Sequence, residues 1–203
     1  MLKFLTLSLF ICSVLAQAAP YQSFYDYKLQ EFTTMKQSKL IFLGDSLTMR
    51  HNWSNFKASN MGIDGDTTAG VLSRMHLASE ADTIVLMISV NDILNQVPLS
   101  KIQNNYTKIL NNFSKEQNIY ILSLLPVIDD KLTKKINQEI KTINKWLKIE
   151  VEKRGYSYVD LYPHFLDTNK KGLAKPLTTD GIHLSPKAYK LWERNLKELL
   201  SSD

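Results

Sequence analysis

The chain holds a single cysteine, Cys12, among 203 residues, and it sits in an apolar N-terminal run, Phe4 to Ala16. Lys3 precedes the run, and the small-x-small site Ala16-Gln17-Ala18 follows it before Pro20, the pattern of a secretory signal peptide. Cleavage is expected near Ala18, which leaves residues 19–203 as one mature domain without a thiol. Disulfides, thiolate metal sites and a cysteine nucleophile are then excluded. Ile11 does not suit the small residue that lipoprotein processing needs before its cysteine, so Cys12 reads as an ordinary member of the apolar run. The expected location is secreted or periplasmic.

Other absences narrow the class further. No later stretch approaches the roughly 20 apolar residues that cross a bilayer, so no integral membrane segment is expected after signal cleavage. Twenty-five Lys and Arg against twenty Asp and Glu give a formal charge of +5, but the lysines are scattered along helical faces among acids. No basic stripe interleaved with aromatics points to nucleic acid. The four histidines and the acids lack a zinc-like spacing, and no glycine-rich phosphate loop is present, so neither metal nor cofactor is expected. Internal repeats, linkers and low-complexity segments are also missing.

What remains alternates strand-like and helix-like stretches. The apolar run Leu40–Leu43 ends abruptly in Gly44-Asp45-Ser46, the pattern of a buried strand feeding a tight turn that presents a hydroxyl at a helix start. Leu47–Phe56 is expected to begin as helix, with Trp53 and Phe56 as a packing pair. Lys57–Asn60 is at best a brief strand, and a helix is expected from about Thr67 to Ser79. Thr83–Ser89 and Ile119–Leu125 read as buried strands and Tyr156–Leu161 as a last one. Helices are expected over Leu99–Phe113, along the stripe Ile136, Ile140, Ile143, Leu147, Val151, and from Pro186 onward. Tyr21–Lys36 has a weaker helical spacing. This alternation predicts an α/β fold of three layers, with a parallel sheet of flavodoxin-like order.

In such a sheet, loops at the carboxyl ends of the strands share one edge. Four polar stretches fall there: Gly44-Asp45-Ser46, Gly62-Ile63-Asp64-Gly65, Asn91-Asp92 and Asp180-Gly181-Ile182-His183. Ester hydrolysis through a serine needs a nucleophile, a base, a carboxylate holding the base, and donors for the oxyanion, and these loops contain all four kinds of group. Each stretch taken singly also fits a turn or a cap. His51, His76 and His164 are alternative bases, which we read as surface or capping residues.

Gly44-Asp45-Ser46-Leu47, then Asn60, Gly62 and Gly65, then Asn91-Asp92, then Asp180-x-x-His183 resemble, in this order, the four sequence blocks of the SGNH (GDSL) hydrolase superfamily. Asn60 through Arg74, Phe165-Leu166-Asp167 and His183-Leu184-Ser185 look most like the branch with platelet-activating-factor acetylhydrolases and bacterial acylhydrolases. The resemblance spans about residues 39–190. It implies Ser46 as nucleophile, His183 as general base and Asp180 as its orienting acid. It implies an oxyanion hole from the Ser46 and Gly65 backbone N–H groups and the Asn91 side-chain amide. Asp45 is then expected to stabilise the turn rather than serve the triad. One departure stands out: the third block usually reads Gly-x-Asn-Asp, and here Ser89 replaces the glycine, where a side chain can narrow the pocket or shift Asn91.

The implied activity is serine carboxylic-ester hydrolysis that removes short, acetyl-like groups from a glycan or a small lipid ester. The alternatives are a lysophospholipase, thioesterase or acyltransferase with the same triad, and a non-catalytic glycan-binding module.

Overall fold

The computed structural model describes residues 19–131 and 133–200; the expected signal peptide, residues 1–18, lies outside them. The chain divides into two compact units, residues 1–35 and 36–203. The described part of the first is essentially one helix, α1 (Ala19–Thr34). Within it the Lys28 ammonium bonds Glu31 one turn away and lies 5.0 Å above the Phe32 ring. No helix among the described residues is long and apolar enough to cross a membrane.

The second unit is built on five parallel strands: β1 (Leu40–Gly44), β2 (Ser59–Gly62), β3 (Thr83–Met87), β4 (Asn118–Leu122) and β5 (Ser157–Val159). Their order is β2-β1-β3-β4-β5, the flavodoxin-like order expected from the alternation. Register aligns Gly44 with Gly62 on one side and with Met87 on the other, so three strands end level with one another. Residues two apart share a face of the sheet. Phe42, Val85, Met87 and Leu122 therefore point into one buried cluster, completed by Trp53, Phe165 and the apolar side of the terminal helix α7 (Pro186–Leu200). Phe42 and Trp53 stack at 3.9 Å within it.

The alternate set, Ile41, Leu43, Ile84, Leu86, Ile119 and Ile121, is equally buried and belongs to the opposite face. Over that face pack α3 (Thr68–Arg74), α5 (Leu99–Asn112) and α6 (Lys134–Glu152), each touching the next. The layers are thus α/β/α. Two short helices complete the set: α2 (Ser46–Met49) and α4 (Val90–Leu94) directly follow β1 and β3 at the carboxyl edge.

Several expected elements are shorter than the sequence pattern suggests, among them the helix from Thr67 and the strands Thr83–Ser89 and Tyr156–Leu161, and for two of the shortened elements the reason is identifiable. The helix after Ser46 stops at Met49, and Trp53–Phe56 forms a separate 3₁₀ turn. Asn60 ends it, because its amide donates to the carbonyls of Thr48, Met49 and His51 at 2.9–3.1 Å and so satisfies the groups a longer helix would use. Strand β4 stops at Leu122, although the apolar run continues to Leu125. Beyond it, two asparagines of α6 replace strand partners: Asn144 accepts from the Leu124 N–H and donates to the Leu124 carbonyl, and Asn137 does the same for Val127.

These amides satisfy buried backbone groups where no strand is available. An unpaired buried polar group costs about 1–3 kcal/mol, and Asn144→Ala leaves two. Asn144→Ala should therefore lower the unfolding free energy by about 2 kcal/mol or more, while Lys145→Ala on the exposed side of the same helix changes it little. Urea denaturation of the two variants measures this, and equal midpoints would contradict the latch.

Candidate active site

The turn after β1 is shaped by close backbone approach. A Cβ on Gly62 would stand 2.3 Å from the Met49 nitrogen and 2.8 Å from the Asp45 carbonyl, so only glycine lets β2 end against the single turn of α2. Asp45 caps that helix, its Oδ1 accepting from the Leu47 N–H at 2.9 Å, which is the turn-stabilising role expected of it. Ser46 follows as the first helical residue and is almost fully buried, at 4% exposure.

Ser46 Oγ lies 3.1 Å from His183 Nε2, and His183 Nδ1 lies 2.5 Å from Asp180 Oδ2. Since a carboxylate only accepts, the imidazole proton belongs on Nδ1 and Nε2 is left as an acceptor facing the hydroxyl. The loop carrying the last two residues is tightly tied. Asp180 Oδ1 accepts from the N–H groups of Ile182 and His183, and the His183 carbonyl accepts from the Thr178 hydroxyl and the Thr179 N–H. Gly181 turns the chain at φ +99°, a conformation that L side chains rarely adopt. Partial desolvation pushes the Asp180 carboxyl up, but the hydrogen bonds from the His183 ring and the two N–H groups outweigh it and hold it at about 2. Asp180 is thus ionised beside the imidazole throughout the neutral range.

Gly65 and Asn91 meet in the neighbouring loops. Gly65 adopts φ +74°, and the Asn91 amide donates at 2.9 Å to the carbonyl of Asp66, the next residue. An amide NH₂ has two donors. One fixes the Gly65–Asp66 turn, which leaves the second for another acceptor. Asp92 is turned inward: its carboxylate accepts from the Thr68 N–H and hydroxyl, and burial raises its pKa in spite of those bonds. Ser89, at the start of α4, adopts φ +103° with a fully buried side chain. Its Oγ lies beside the Tyr106 phenol but makes no hydrogen bond of good geometry; the phenol donates instead to the Ile88 carbonyl at 2.6 Å. A non-glycine residue held in this conformation costs of the order of 1 kcal/mol.

Sequence reasoning missed three features around these residues. Arg74 is buried to 1% and pairs with the equally buried Asp66 at 2.7 Å, while donating to the carbonyls of Gly44 and Met61. Its helical spacing marks only a charged residue near a helix end. His76 and His164 are exposed as read, but His51 is a packed residue: its ring stacks on Tyr189 at 4.4 Å and Nε2 lies 2.8 Å from Glu193 Oε1. No spacing could reveal a partner 142 residues away. The third feature is the Asp45 carboxyl. Burial, outweighing the Leu47 hydrogen bond and aided by the charges of Asp66, Asp64 and Asp92, pushes it up to about 7, and its Oδ2 is buried without a partner. No group of three or more potential metal ligands occurs among the described residues.

A hydroxyl, an imidazole and a carboxylate in line at the carboxyl edge of a parallel sheet define a class of α/β hydrolytic architecture. The chain belongs to the GDSL-like lipase/acylhydrolase family, whose pattern residues 42–191 match, and it is thereby an ester-bond hydrolase with the three-layer SGNH hydrolase fold. No curated protein matches it by sequence. Among solved structures it is similar to a Streptococcus pneumonia protein described as a platelet activating factor, with a TM-score of 0.81 and 22% identity over 95% of this chain and 100% of that one. It is similar to a GDSL-like lipase from Bacteroides thetaiotaomicron, at 0.74 and 18% over 88% and 97%. A third is an acetylxylan esterase from Geobacillus stearothermophilus, at 0.67 and 16% over 79% and 93%. At these identities the likeness is one of fold.

The Asp45 carboxyl sets a pH dependence whose sign is fixed. Its folded pKa of about 7 exceeds the ordinary value of 3.8, so between these pH values the native state holds a proton that the unfolded chain has released. Its contribution therefore destabilises progressively as pH rises from about 4 to about 7, by about 1.4 kcal/mol per pH unit at most, and is constant above that. Asp45→Asn removes the titration. The stability difference between Asp45→Asn and wild type should shift in favour of asparagine across this window, as read by denaturant unfolding at several pH values. A difference independent of pH would refute the buried acid.

Proposed function

We propose that the protein is an exported serine ester hydrolase that removes short acyl groups from a small or glycan-borne ester through an acyl-enzyme on Ser46. The observation that carries this reading is the Ser46–His183–Asp180 chain, with spacings of 3.1 and 2.5 Å. In acylation, His183 Nε2 takes the proton as Ser46 Oγ bonds the carbonyl carbon. The tetrahedral intermediate then expels the alcohol, which leaves with that proton. Water repeats the sequence, breaks the acyl–Ser46 bond and releases the acid. Asp180, ionised and hydrogen-bonded, keeps the imidazole in the tautomer that presents Nε2 and stabilises its cationic form.

The oxyanion is received by the Ser46 and Gly65 N–H groups and by the second Asn91 N–H. Asn91 has two tasks in this reading, since its first N–H holds the turn that presents Gly65. The acetylxylan esterase among the similar structures agrees with an acetylated carbohydrate substrate.

Ser46→Ala and His183→Ala should each abolish most hydrolysis of 4-nitrophenyl acetate without a change in circular dichroism. Asn91→Ala should lower kcat by about a hundredfold to a thousandfold with little change in KM, because the lost donor acts chiefly in the transition state. Wild-type turnover in the Ser46 or His183 variant rejects the triad; a silent Asn91→Ala reduces the hole to two backbone donors.

Export rests on Lys3, the apolar run and Ala16-Gln17-Ala18. Mass spectrometry of protein recovered outside the cytoplasm should find an N-terminus near Ala19, whereas an intact Met1 would argue against processing.

A further inference from the structure

We propose that the cavity on the His183 side of the reacting pair is a subsite for a neutral carbohydrate, which makes the leaving alcohol a sugar hydroxyl. This rests on the proposed acyl-enzyme reading, because it is His183 that returns the proton to the departing oxygen. The alcohol part of the substrate must then lie next to His183, while the acyl part stays on Ser46.

A cavity of about 580 Å³ flanks the reacting pair without being lined by it, bounded instead by Leu184 and Arg50, and its size is well within the range of small-ligand sites. Its two walls belong to the chain segments that follow the reacting residues. One begins with Leu184, directly after His183, and runs along α7 to Tyr189, Lys190 and Glu193. The other begins with Arg50, directly after α2, and runs through Asn52 to Asn55. The Tyr189 hydroxyl donates to the Leu47 carbonyl at 2.9 Å, joining the two walls at the base of the nucleophile turn.

The floor is built rather than incidental. His51 stacks on Tyr189, and its Nε2 and the Asn55 amide hold Glu193 Oε1 at 2.8 and 3.2 Å. Glu193 Oε2 receives only a long contact from Asn55, at 3.4 Å, and so keeps accepting capacity. Arg50 spends Nε and Nη2 on Asp64 at 3.1 and 3.0 Å. Asn52 spends its carbonyl on the Ser54 N–H, which leaves its NH₂ donors, and Lys190 Nζ makes no hydrogen bond or ion pair among the described residues.

This inventory selects among ligands. Two permanent cations, Arg50 and Lys190, are matched by two acids, Asp64 and Glu193, so a phosphate headgroup meets no net positive field. An acyl tail meets walls of which only about half is apolar. Hydroxyl groups, which donate and accept at once, can use the Asn52 and Lys190 donors and the Glu193 acceptor together. A pyranose also has apolar C–H faces to lay against Pro186, which is exposed in the same cavity.

The test compares wild type with the double variant Asn52→Ala, Lys190→Ala, both changes at exposed positions, with folding checked by thermal unfolding. Values of kcat/KM are measured for 4-nitrophenyl acetate, for mono-O-acetylated xylobiose, cellobiose and chitobiose, and for an acetylated lysophospholipid. Wild type should prefer at least one acetylated disaccharide to the nitrophenyl ester, and the double variant should lose tenfold or more of that preference, chiefly through KM. An unchanged preference ratio, or a wild-type preference for the lysophospholipid, overturns the subsite. Saturation-transfer NMR with the unacetylated disaccharides on the Ser46→Ala variant reads binding alone. A wild-type protein that binds a disaccharide but hydrolyses no ester overturns the acyl-enzyme reading and keeps the subsite, whereas hydrolysis of the nitrophenyl ester without any disaccharide binding does the reverse.

Discussion

The buried guanidinium of Arg74 is the fixed point of this architecture. It donates to Gly44 at the end of β1, to Met61 in β2 and to the Asp66 carboxylate, so a single side chain ties two strand ends to the loop after Gly65. An arginine can do this because its planar fork directs several donors at once, which a lysine cannot match. Removing one partner of such a buried pair typically costs about 3–5 kcal/mol, since the other is left charged and unsolvated. Here the cost is also positional: Ser46 lies two residues beyond one tied carbonyl, and Gly65 precedes the tied carboxylate.

From that anchor the remaining constraints follow in sequence. Strand ends held level bring the Gly44–Ser46 and Gly62–Asp66 turns side by side, and the missing Cβ at Gly62 lets them touch. Asn60 then ends the helix after a single turn, which keeps Ser46 on a short segment locked at both ends rather than on a long helix free to tilt. Asn91 links the third strand end to the same group by bonding Asp66. Three of the four polar loops thus form one hydrogen-bonded unit, and the fourth, carrying Asp180 and His183, is rigidified by its own bonds to Thr178 and Thr179.

How legible was this in the sequence? Four of the five strands and the flavodoxin-like order followed from buried runs alternating with amphipathic stripes, since each signal is local and has a period; β2 (Ser59–Gly62) has no such run, and the brief strand read at Lys57–Asn60 overlaps it by only two residues. Gly-Asp-Ser, Asn-Asp and Asp-x-x-His were also legible as short polar interruptions at strand ends, while their roles were read from the family resemblance; the structure brings Ser46, His183 and Asp180 together. Partnerships were not. Asn137 and Asn144 read as polar interruptions in the helical stripe, yet they complete the backbone bonding of a strand extension; the signal lies in the unpaired stretch Leu124–Val127, not near the asparagines. His51 read as a surface residue because its partners Tyr189 and Glu193 come from the far end of the chain. The depth of Asp45 was hidden too, since a cap residue is ordinarily solvated and only the packed fold shows that its second oxygen has no partner.

The burial of Ser46, His183 and Asp180 is graded in a way that suits the roles proposed for them. Ser46 is almost entirely covered, the His183 side chain is about one quarter exposed and that of Asp180 about half. A nucleophile in a dry turn loses little to competing water, and donors aimed at an oxyanion there act in a low dielectric, where they are worth most. The base needs the opposite, since both the departing alcohol and the incoming water must reach it. An exposed orienting carboxylate would normally be a weak partner, because water screens it. Asp180 retains its hold on His183 through geometry: two backbone N–H groups fix one of its oxygens, leaving the other directed at Nδ1. The exposed side of Asp180 and His183 thus stays open without any loosening of the imidazole, and the cavity between Arg50 and Leu184 flanks it.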